Sequence, residues 1–450
     1  MAGPLRRVLV ANRGEIALRV IRACRELGLE TVAVHSEADS DSLPVRAADQ
    51  AVCIGHAPSA KSYLDPRAIV GAALAYRADA IHPGYGFLSE KAAFAELCAE
   101  QGITFVGPDA GVIAQMGDKI AARRVAKAAG VPTTPGSEGA VADRAQALKI
   151  ALEIGFPVLL KAAAGGGGRG MRIVTRAEDL ERLLGEAMGE AAVAFGDPAI
   201  YVERYLTNVR HIEIQVLGDG EHVVHLGERD CSVQRRNQKL VEEAPSPVLD
   251  AELRRRIGES AVALCRQVGY KSAGTVEYIL DQNSGEFYFM EMNTRIQVEH
   301  PVTEMVTGVD LVKWQLRIAG GEKLSLRQEG IRTHGHAIEC RINAEDHEHG
   351  FAPCPGRVAD YLAPGGPGVR VDSHMESGCE VPPYYDSLLA KVICWGENRE
   401  EAVARMRRAL GEIRLEGVKT TVAFHRQLLE HAEFCAGRCN TRFVHDVLGY

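Results

Sequence analysis

The stretch Pro157-Val-Leu-Leu-Lys-Ala-Ala-Ala-Gly-Gly-Gly-Gly-Arg-Gly-Met-Arg-Ile-Val-Thr175 decides how this chain is read. It contains a formal GxGxxG, the fingerprint of dinucleotide-binding folds. That fingerprint needs a strand before the glycines and a helix opening on them. Here an apolar strand, 157–161, precedes the glycines and a second strand-like run, 171–175, follows them. The GK[ST] ending of a P-loop is also missing. Strand, glycine run, strand makes a hairpin with a bare tip, a mobile lid whose N–H groups at Gly165, Gly166, Gly167 and Gly168 are suited to close over a polyphosphate. Lys161 ends the apolar strand, where an unpaired ammonium is costly to bury and a phosphate just beyond would satisfy it. A turn without any ligand is the competing reading of the glycines taken alone.

Outward from the hairpin the chain divides into blocks, as expected of 450 residues, more than one core can serve. On the N-terminal side, strand 7–11, helix 15–27 and strand 31–35 follow one another, with apolar positions 16, 20, 24 and 27 at helical spacing. Asn12 and Glu15 mark the helix start. Strand 79–82, a helix near 90–101 and strand 103–106 complete a βαβαβ pattern, which predicts a parallel, Rossmann-like sheet over residues 1–115. Residues 116–134 form a helical linker, with a helix over 119–129 stopped by Gly130 and Pro132. Residues 135–205 form a small α/β lobe around the glycines. Over 206–450 strands dominate, at 211–217, 222–226, 273–280, 286–293, 336–343 and 388–394, with a helix at 400–410, predicting a mixed, largely antiparallel α+β domain.

The net charge of −8 and pI near 6.0 argue against a general affinity for nucleic acid or anionic membrane. No signal-peptide core or membrane-length apolar run appears, so a cytoplasmic location is expected. Eleven cysteines without a CxxC pair read as reduced, mostly buried thiols, with Cys24, Cys53, Cys98 and Cys394 in apolar runs.

Chemistry concentrates after residue 270. The turn 281–285 joins strands carrying Glu277 and the run Phe287-Tyr-Phe-Met-Glu-Met-Asn293 into a hairpin. Strict alternation puts Phe287, Phe289, Glu291 and Asn293 on one face, with Glu277 able to face them. Carboxylates and an amide in such apolar strands are costly unless paired, and a hard divalent cation, Mg²⁺ or Mn²⁺, resolves that cost. Pairing with arginines is the alternative. In Thr294-Arg-Ile-Gln-Val-Glu-His300, an extended backbone would align Arg295, Gln297 and Glu299: a cation, an amide and a base that suit a small oxyanion and its proton. Along 337–343, Glu339, Arg341 and Asn343 share a face. The basic run Gln234-Arg-Arg-Asn-Gln-Lys239 either decorates the surface or lines an anion site, with Lys239 as its candidate.

Together with Ala11-Asn-Arg-Gly-Glu-Ile-Ala17, His82-Pro-Gly-Tyr-Gly-Phe-Leu-Ser-Glu90, Glu339–Asp346 and Pro382–Ser387, these segments make the chain resemble, nearly end to end, the biotin carboxylases of the ATP-grasp superfamily. The resemblance implies an ATP-grasp fold in which Lys119, Lys161, the glycine hairpin with Met171, and His211 contact phosphates and ribose, Glu203, Arg204 and Leu206 frame the adenine, and Gln234 also serves ATP. It implies two Mg²⁺ or Mn²⁺ ions on Glu277, Glu291 and Asn293. It places bicarbonate and biotin at Lys239, Arg295, Gln297, Val298 and Arg341, with Glu299 as the base. Bicarbonate would attack ATP to give carboxyphosphate, and carboxybiotin would follow. It also implies a homodimer through Arg22, Glu26 and Arg370, with Pro367 standing where an aromatic residue can help form that contact. Asn237 stands where acetyl-CoA carboxylase subunits of bacteria often have histidine. No Met-Lys-Met biotin-attachment site occurs, so the expected partners are a biotin carboxyl carrier protein and a carboxyltransferase on other chains. The resemblance implies acetyl-CoA as final acceptor, with propionyl-CoA, another acyl-CoA or pyruvate as the alternative. A carboxylate–amine ligase and a non-catalytic nucleotide-binding module are the competing readings.

Overall fold

The computed structural model describes residues 5–163 and 171–450. Gly165, Gly166, Gly167 and Gly168 therefore lie outside the described residues.

The first block opens with β1 (Arg7–Val10), α1 (Gly14–Glu26) and β2 (Glu30–His35). It continues through α2 (Leu43–Ala47), β3 (Gln50–Cys53), α3 (Pro66–Ala75), β4 (Ala80–His82), α4 (Ala92–Glu100) and β5 (Thr104–Phe105). The strands form one parallel sheet in the order β3-β2-β1-β4-β5, as the alternation of strand and helix predicts. The start of α1 differs from expectation. Arg13, not Asn12, precedes the helix, and no side chain caps it. Asn12 instead donates its amide to Pro83 O and Tyr85 O, both at 2.7 Å, and so binds the loop after β4 to the loop after β1. Gly84 permits this approach: its φ is +63°, and a Cβ there would lie 2.9 Å from the Asn12 amide.

Two helices, α5 (Ala110–Gly117) and α6 (Lys119–Ala128), lead to the small lobe. There α7 (Arg144–Ile154) and α8 (Leu180–Phe195) cover a three-stranded antiparallel sheet of β6 (Val158–Ala162), β7 (Met171–Val174) and β8 (Ile200–Arg204), ordered β7-β6-β8. The strands flanking the glycine run pair as a hairpin would, Lys161 opposite Met171. Val158, Leu160, Val174, Leu184, Ala187 and Val202 build a core belonging to this lobe alone.

The third block begins with β9 (Val209–Asp219), β10 (Val223–Arg235), β11 (Gln238–Ala244), α9 (Ala251–Gln267), β12 (Lys271–Asp281) and β13 (Phe287–Asn293). Then come α10 (His300–Thr307), α11 (Leu311–Ala319) and β14 (His336–Asn343). Short strands β15 (Glu345–Asp346), β16 (Ala352–Pro353), β17 (Gly356–Arg357) and β18 (Asp360–Leu362) precede β19 (Val369–Ser373), β20 (Glu380–Val381), β21 (Leu388–Gly396) and α12 (Arg399–Glu412). Eight of these strands form one antiparallel sheet ordered β13-β12-β9-β10-β11-β14-β21-β19. On one face Ile212, Ile214, Val216, Val276 and Tyr278 are fully buried against α9, each contributing about 1.5–3 kcal/mol. A separate core of Val8, Val10, Ile16 and Val20 with Leu217, Val224 and Trp314 welds the first block to this sheet.

One expectation about exposure is corrected and one is resolved. Cys53 lies at the sheet edge on β3 and is exposed, although most of the eleven thiols are buried. The basic run 234–239 divides between its two readings: it is a tight hairpin between β10 and β11 whose tip, Arg236 and Asn237 at φ +49° and +66°, is exposed, while Lys239 turns inward to carboxylates. No helix among the described residues is long and apolar enough to cross a membrane.

Candidate active site

The polar face of the large sheet gathers charges that its apolar face could not hold. Along β9, His211, Glu213 and Gln215 alternate with Ile212, Ile214 and Val216, so one strand supplies both the core and the floor of the site. Lys239 Nζ, carried on β11 just past the tight hairpin, lies 2.6 Å from Glu213 Oε2, 3.0 Å from Glu277 Oε1 and 2.6 Å from Glu299 Oε1. Arg341 on β14 closes the other side of Glu299, donating from Nη2 to Oε2 at 2.9 Å, and its Nε donates to Glu242 at 2.6 Å.

Arg229, fully buried on β10, binds these walls together. It donates to Glu213, to Gln215 at 2.6 Å, and to Thr275, Gln297 and Thr303 at 3.0 Å each. Gln297 passes its own amide to Glu277 at 2.7 Å, and Asn293 does the same at 2.9 Å. His211 Nε2 stands 3.0 Å from the remaining Glu277 oxygen. The sequence did not single out Glu213, Arg229 or Glu242. The alternation 211–216 was a legible signal for Glu213; the charged triplet Glu228-Arg-Asp230 inside a strand was one for Arg229.

For Glu299, Glu277 and Lys239 loss of hydration is the largest single influence on titration, and the ion pairs decide its outcome. Burial lifts the Glu299 carboxyl, but Lys239, Arg341 and Arg229 outweigh that and hold it below the usual carboxylate range. Burial likewise opposes ionised Glu277, and Lys239 with His211 brings it well below that range. Lys239, despite burial, is held well above the usual lysine range by Glu213, Glu277 and Glu299. Glu291, although open to the cavity, behaves oppositely: partial loss of hydration and the neighbouring Glu277 charge raise it, with Lys119 pulling the other way.

Two expectations about local geometry are corrected. The β12–β13 ladder contains a bulge, so Glu277 pairs with Glu291 while Tyr278 pairs with Phe289, leaving Met290 as the extra residue. Phe287, Phe289 and Met292 enter the core, and Glu291 and Asn293 therefore leave on the opposite face from the two phenylalanines. The segment 294–299 is not extended either: it bends, and Glu299 is the residue preceding α10, with φ −82° and ψ 7°. Arg295 turns aside to Glu90 and Asn293, both at 2.9 Å, while Gln297 and Glu299 turn inward to Lys239's cluster.

Two cavities flank this centre. One, of about 500 Å³, lies between the small lobe and the large sheet. Lys119, Lys161, Met171, Glu203, Arg204 and Leu206 line it, over an apolar floor of Ile279, Phe289 and Met290 that periodicity alone did not reveal. Lys161 meets Glu203 at 3.1 Å, and Arg123 takes the other oxygen of that carboxylate. His211 and Gln234 are not among the residues lining this cavity; Gln234 lies opposite Lys239 in the β10–β11 ladder. The other cavity, of about 350 Å³, joins the first block to the third and is lined by Glu15, Tyr85, Arg295, Val298, Arg341 and Tyr385. The contacts Glu291–Glu277–Lys239–Glu299–Arg341 run from one cavity to the other.

The chemistry of the donors fits a divalent cation at Glu291 and Glu277, paired carboxylates of which one is raised by the other's charge. The tighter cluster of His211, Glu213 and Glu277, with ligand atoms within 4.8 Å, closes around the Lys239 ammonium instead.

Three family profiles match in succession: "Biotin carboxylase, N-terminal domain" over 4–113, "Carbamoyl-phosphate synthase L chain, ATP binding domain" over 118–327, and "Biotin carboxylase C-terminal domain" over 339–446. The chain is 56% identical to Biotin carboxylase of a Nostoc species over 98% of this chain and 99% of that one. It is also 56% identical to Biotin carboxylase 1 of Bacillus subtilis, over 99% and 100%. A solved structure of the biotin carboxylase domain dimer of Hydrogenobacter thermophilus 2-oxoglutarate carboxylase, with MgADP, ADP and bicarbonate, superposes with a TM-score of 0.92 at 54% identity, covering 98% of each chain. With relatives this similar along nearly its whole length, the chain belongs to the biotin carboxylase family of ATP-grasp ligases.

Proposed function

We propose that the chain uses ATP and bicarbonate to carboxylate biotin carried on a separate carrier protein, and that each charged group above has a place in that reaction. In this reading ATP lies in the cavity under the small lobe. Its phosphates meet Lys119 and Lys161, and its base meets Glu203, Arg204, Leu206 and the apolar floor. Glu277 and Glu291, with Asn293, would hold Mg²⁺, which when bound offsets charge on the phosphate oxygens.

Bicarbonate takes the position beside Lys239, Arg295, Gln297 and Val298. A new anion there competes with Glu299 for Lys239 and Arg341, and each contact Glu299 loses raises its proton affinity. Glu299 then accepts the bicarbonate proton as the bicarbonate oxygen attacks the γ-phosphate, forming carboxyphosphate and ADP. Biotin enters from the cavity of Tyr85 and Arg341. Carboxyphosphate splits into CO₂ and phosphate, the phosphate takes the ureido N–H proton, Arg341 stabilises the oxygen of biotin that gains charge, and the ureido nitrogen then adds to CO₂ to give carboxybiotin.

The observation that carries this reading is the Lys239 ammonium held among three carboxylates, one of them capped by Arg341, on a line of contacts joining two cavities. The complex of the similar structure with MgADP and bicarbonate supports it. The test is ADP formation with and without bicarbonate and free biotin, in the parent and in Glu299→Gln. Cleavage that needs bicarbonate, rises with biotin and falls by about 100-fold or more in Glu299→Gln is expected. Cleavage indifferent to both substrates would overturn the reading.

For the final acceptor we favour acetyl-CoA, served by a carboxyltransferase on another chain, because the curated relatives carry the plain name biotin carboxylase. The similar domain from a 2-oxoglutarate carboxylase keeps keto acids as the alternative. A homodimer is supported by the dimeric state of that same neighbour; Arg22 and Pro367 are exposed, while Arg370 is held within the chain by buried Glu304 and Asp372.

A further inference from the structure

Behind Arg341, on the side away from the cavity, two carboxylic acids face each other across neighbouring strands. Glu242 on β11 and Glu339 on β14 are direct partners in the antiparallel ladder, so their side chains leave the sheet on the same face. Val241 and Cys340, the next pair, point into the apolar core on the other side. Both glutamates are fully shielded from solvent. Glu242 accepts from Arg341, but its second oxygen and both oxygens of Glu339 have no hydrogen-bond partner among the described residues.

The charged groups around the pair number more acids than this arrangement can ionise together. Arg341 stands two residues along β14 and Lys391 opposite it on β21; Lys239 is on β11, Glu299 precedes α10, and His300 and Glu304 ride on that helix. Lys391 already serves Glu15 at 3.1 Å and Val298 O at 2.9 Å. Arg341 is divided between Glu242 and Glu299. Two adjacent, fully shielded carboxylates that share one divided guanidinium cannot both carry charge at moderate cost. One of them keeps a proton.

We infer that Glu242 and Glu339 form a one-proton pair in which Glu339 is the neutral acid and Glu242 the charged arm that positions Arg341 toward Glu299. Glu339 fits the neutral role because neither of its oxygens has a partner, whereas Glu242 holds the guanidinium. Titration agrees in direction: burial raises both carboxyls, Glu339 well above the usual range and Glu242 to about 7, with Arg341 restraining the latter. Glu242 and Glu339 are positioning residues, and the inference rests on the reading of Arg341 as a substrate-facing group.

The proton can be read without turnover. Infrared difference spectra at mildly alkaline pH, where Glu242 is ionised, between the parent and Glu339→Gln should show one protonated-carboxyl carbonyl band, present in the parent and lost in the variant, and the band should persist in Glu242→Gln. Absence of any such band overturns the pair; its loss in Glu242→Gln alone overturns the assignment of roles. Should either variant fail to fold, the band is sought in the ¹³C-glutamate-labelled parent, where its absence is equally decisive. For positioning, Glu242→Gln should lower biotin-dependent carboxylation about tenfold, the loss of a charge-assisted bond, and flatten its pH profile near neutrality. An unchanged profile overturns that role. Failure of the functional reading is distinguishable, since it appears as bicarbonate-independent ADP formation and leaves the infrared result intact.

Discussion

Glu277 and Glu291 stand directly opposite each other in the β12–β13 ladder, although regular alternation along β13 would have turned Glu291 to the Phe289 side. The single extra residue, Met290, makes the difference. A strand with Phe287 and Phe289 in the core and two site residues further along cannot satisfy both requirements with a period of two. The bulge changes phase between them.

Deleting Met290 therefore forces a choice between core and site. Either Glu291 and Asn293 turn inward, or the phenylalanines turn outward. The deletion should abolish Mg²⁺-dependent nucleotide binding measured by calorimetry, whereas Met290→Leu, which keeps the residue count, should retain it. A deletion variant that binds nucleotide like the parent would show that the bulge does not place these carboxylates.

Lys239 compensates three buried carboxylates, and its replacement by Met should destabilise the fold by about 3–5 kcal/mol at neutral pH. The sign of the pH dependence is diagnostic. In the parent, Glu277 and Glu299 are held below their unfolded values, so their stabilisation is present above the ordinary carboxylate range and lost as pH falls toward the folded values. Without Lys239 these carboxyls rise, the variant favours protonated forms, and its deficit should shrink on acidification. Melting temperatures of both proteins from pH 5 to 8 check this; a deficit constant with pH would argue against the charge explanation.

Thiol accessibility gives an independent check of the packing. Cys53 and Cys435 are exposed, while Cys24, Cys98, Cys231, Cys265, Cys340, Cys394 and Cys439 are buried. Burial pushes Cys24, Cys98 and Cys394 up to about 12, which removes the reactive thiolate as well as access. Brief maleimide labelling of the native protein, read by peptide mass spectrometry, should mark Cys53 and Cys435 first. Early labelling of Cys24 or Cys265 would contradict the cores described above.

The parts of this molecule legible in sequence are those set by local periodicity. The parallel sheet of the first block and the strand pairing around the glycines followed from alternating patterns; Glu277 and Arg341 were noticed because charged residues interrupt apolar strands, Lys239 because it ends a basic run, and Glu299 because it shares a face with Arg295 and Gln297 if the segment is extended. What escaped depends on long-range pairing or on one-residue irregularities. The Met290 bulge has no signal in a run reading FYFMEMN. The inward turn of Glu299 is set by α10 beginning at His300, with a proline next, rather than by the extended run that Arg295, Gln297 and Glu299 imitate. Glu242 and Glu339 belong together only because β11 and β14, nearly a hundred residues apart, are neighbours.

The cations on Glu299 set a last expectation. As a base it must be ionised, which Lys239, Arg341 and Arg229 ensure, yet the same contacts weaken its proton affinity. In the free enzyme its protonation should therefore limit kcat/KM for bicarbonate only well below neutrality. Removing one cation raises the carboxyl toward its ordinary value, so Arg341→Gln should move the acid limb of that profile to higher pH. The profile is measured as ADP formation without biotin, with bicarbonate rather than total carbonate held constant, over the pH range in which parent and variant both stay folded. Because Arg341 is placed on the biotin side, its loss should cost biotin-dependent turnover far more, by about 100-fold, than bicarbonate-dependent cleavage. An acid limb that stays in place, or moves to lower pH, would mean that Arg341 does not tune Glu299 and that the short contact between them has another purpose.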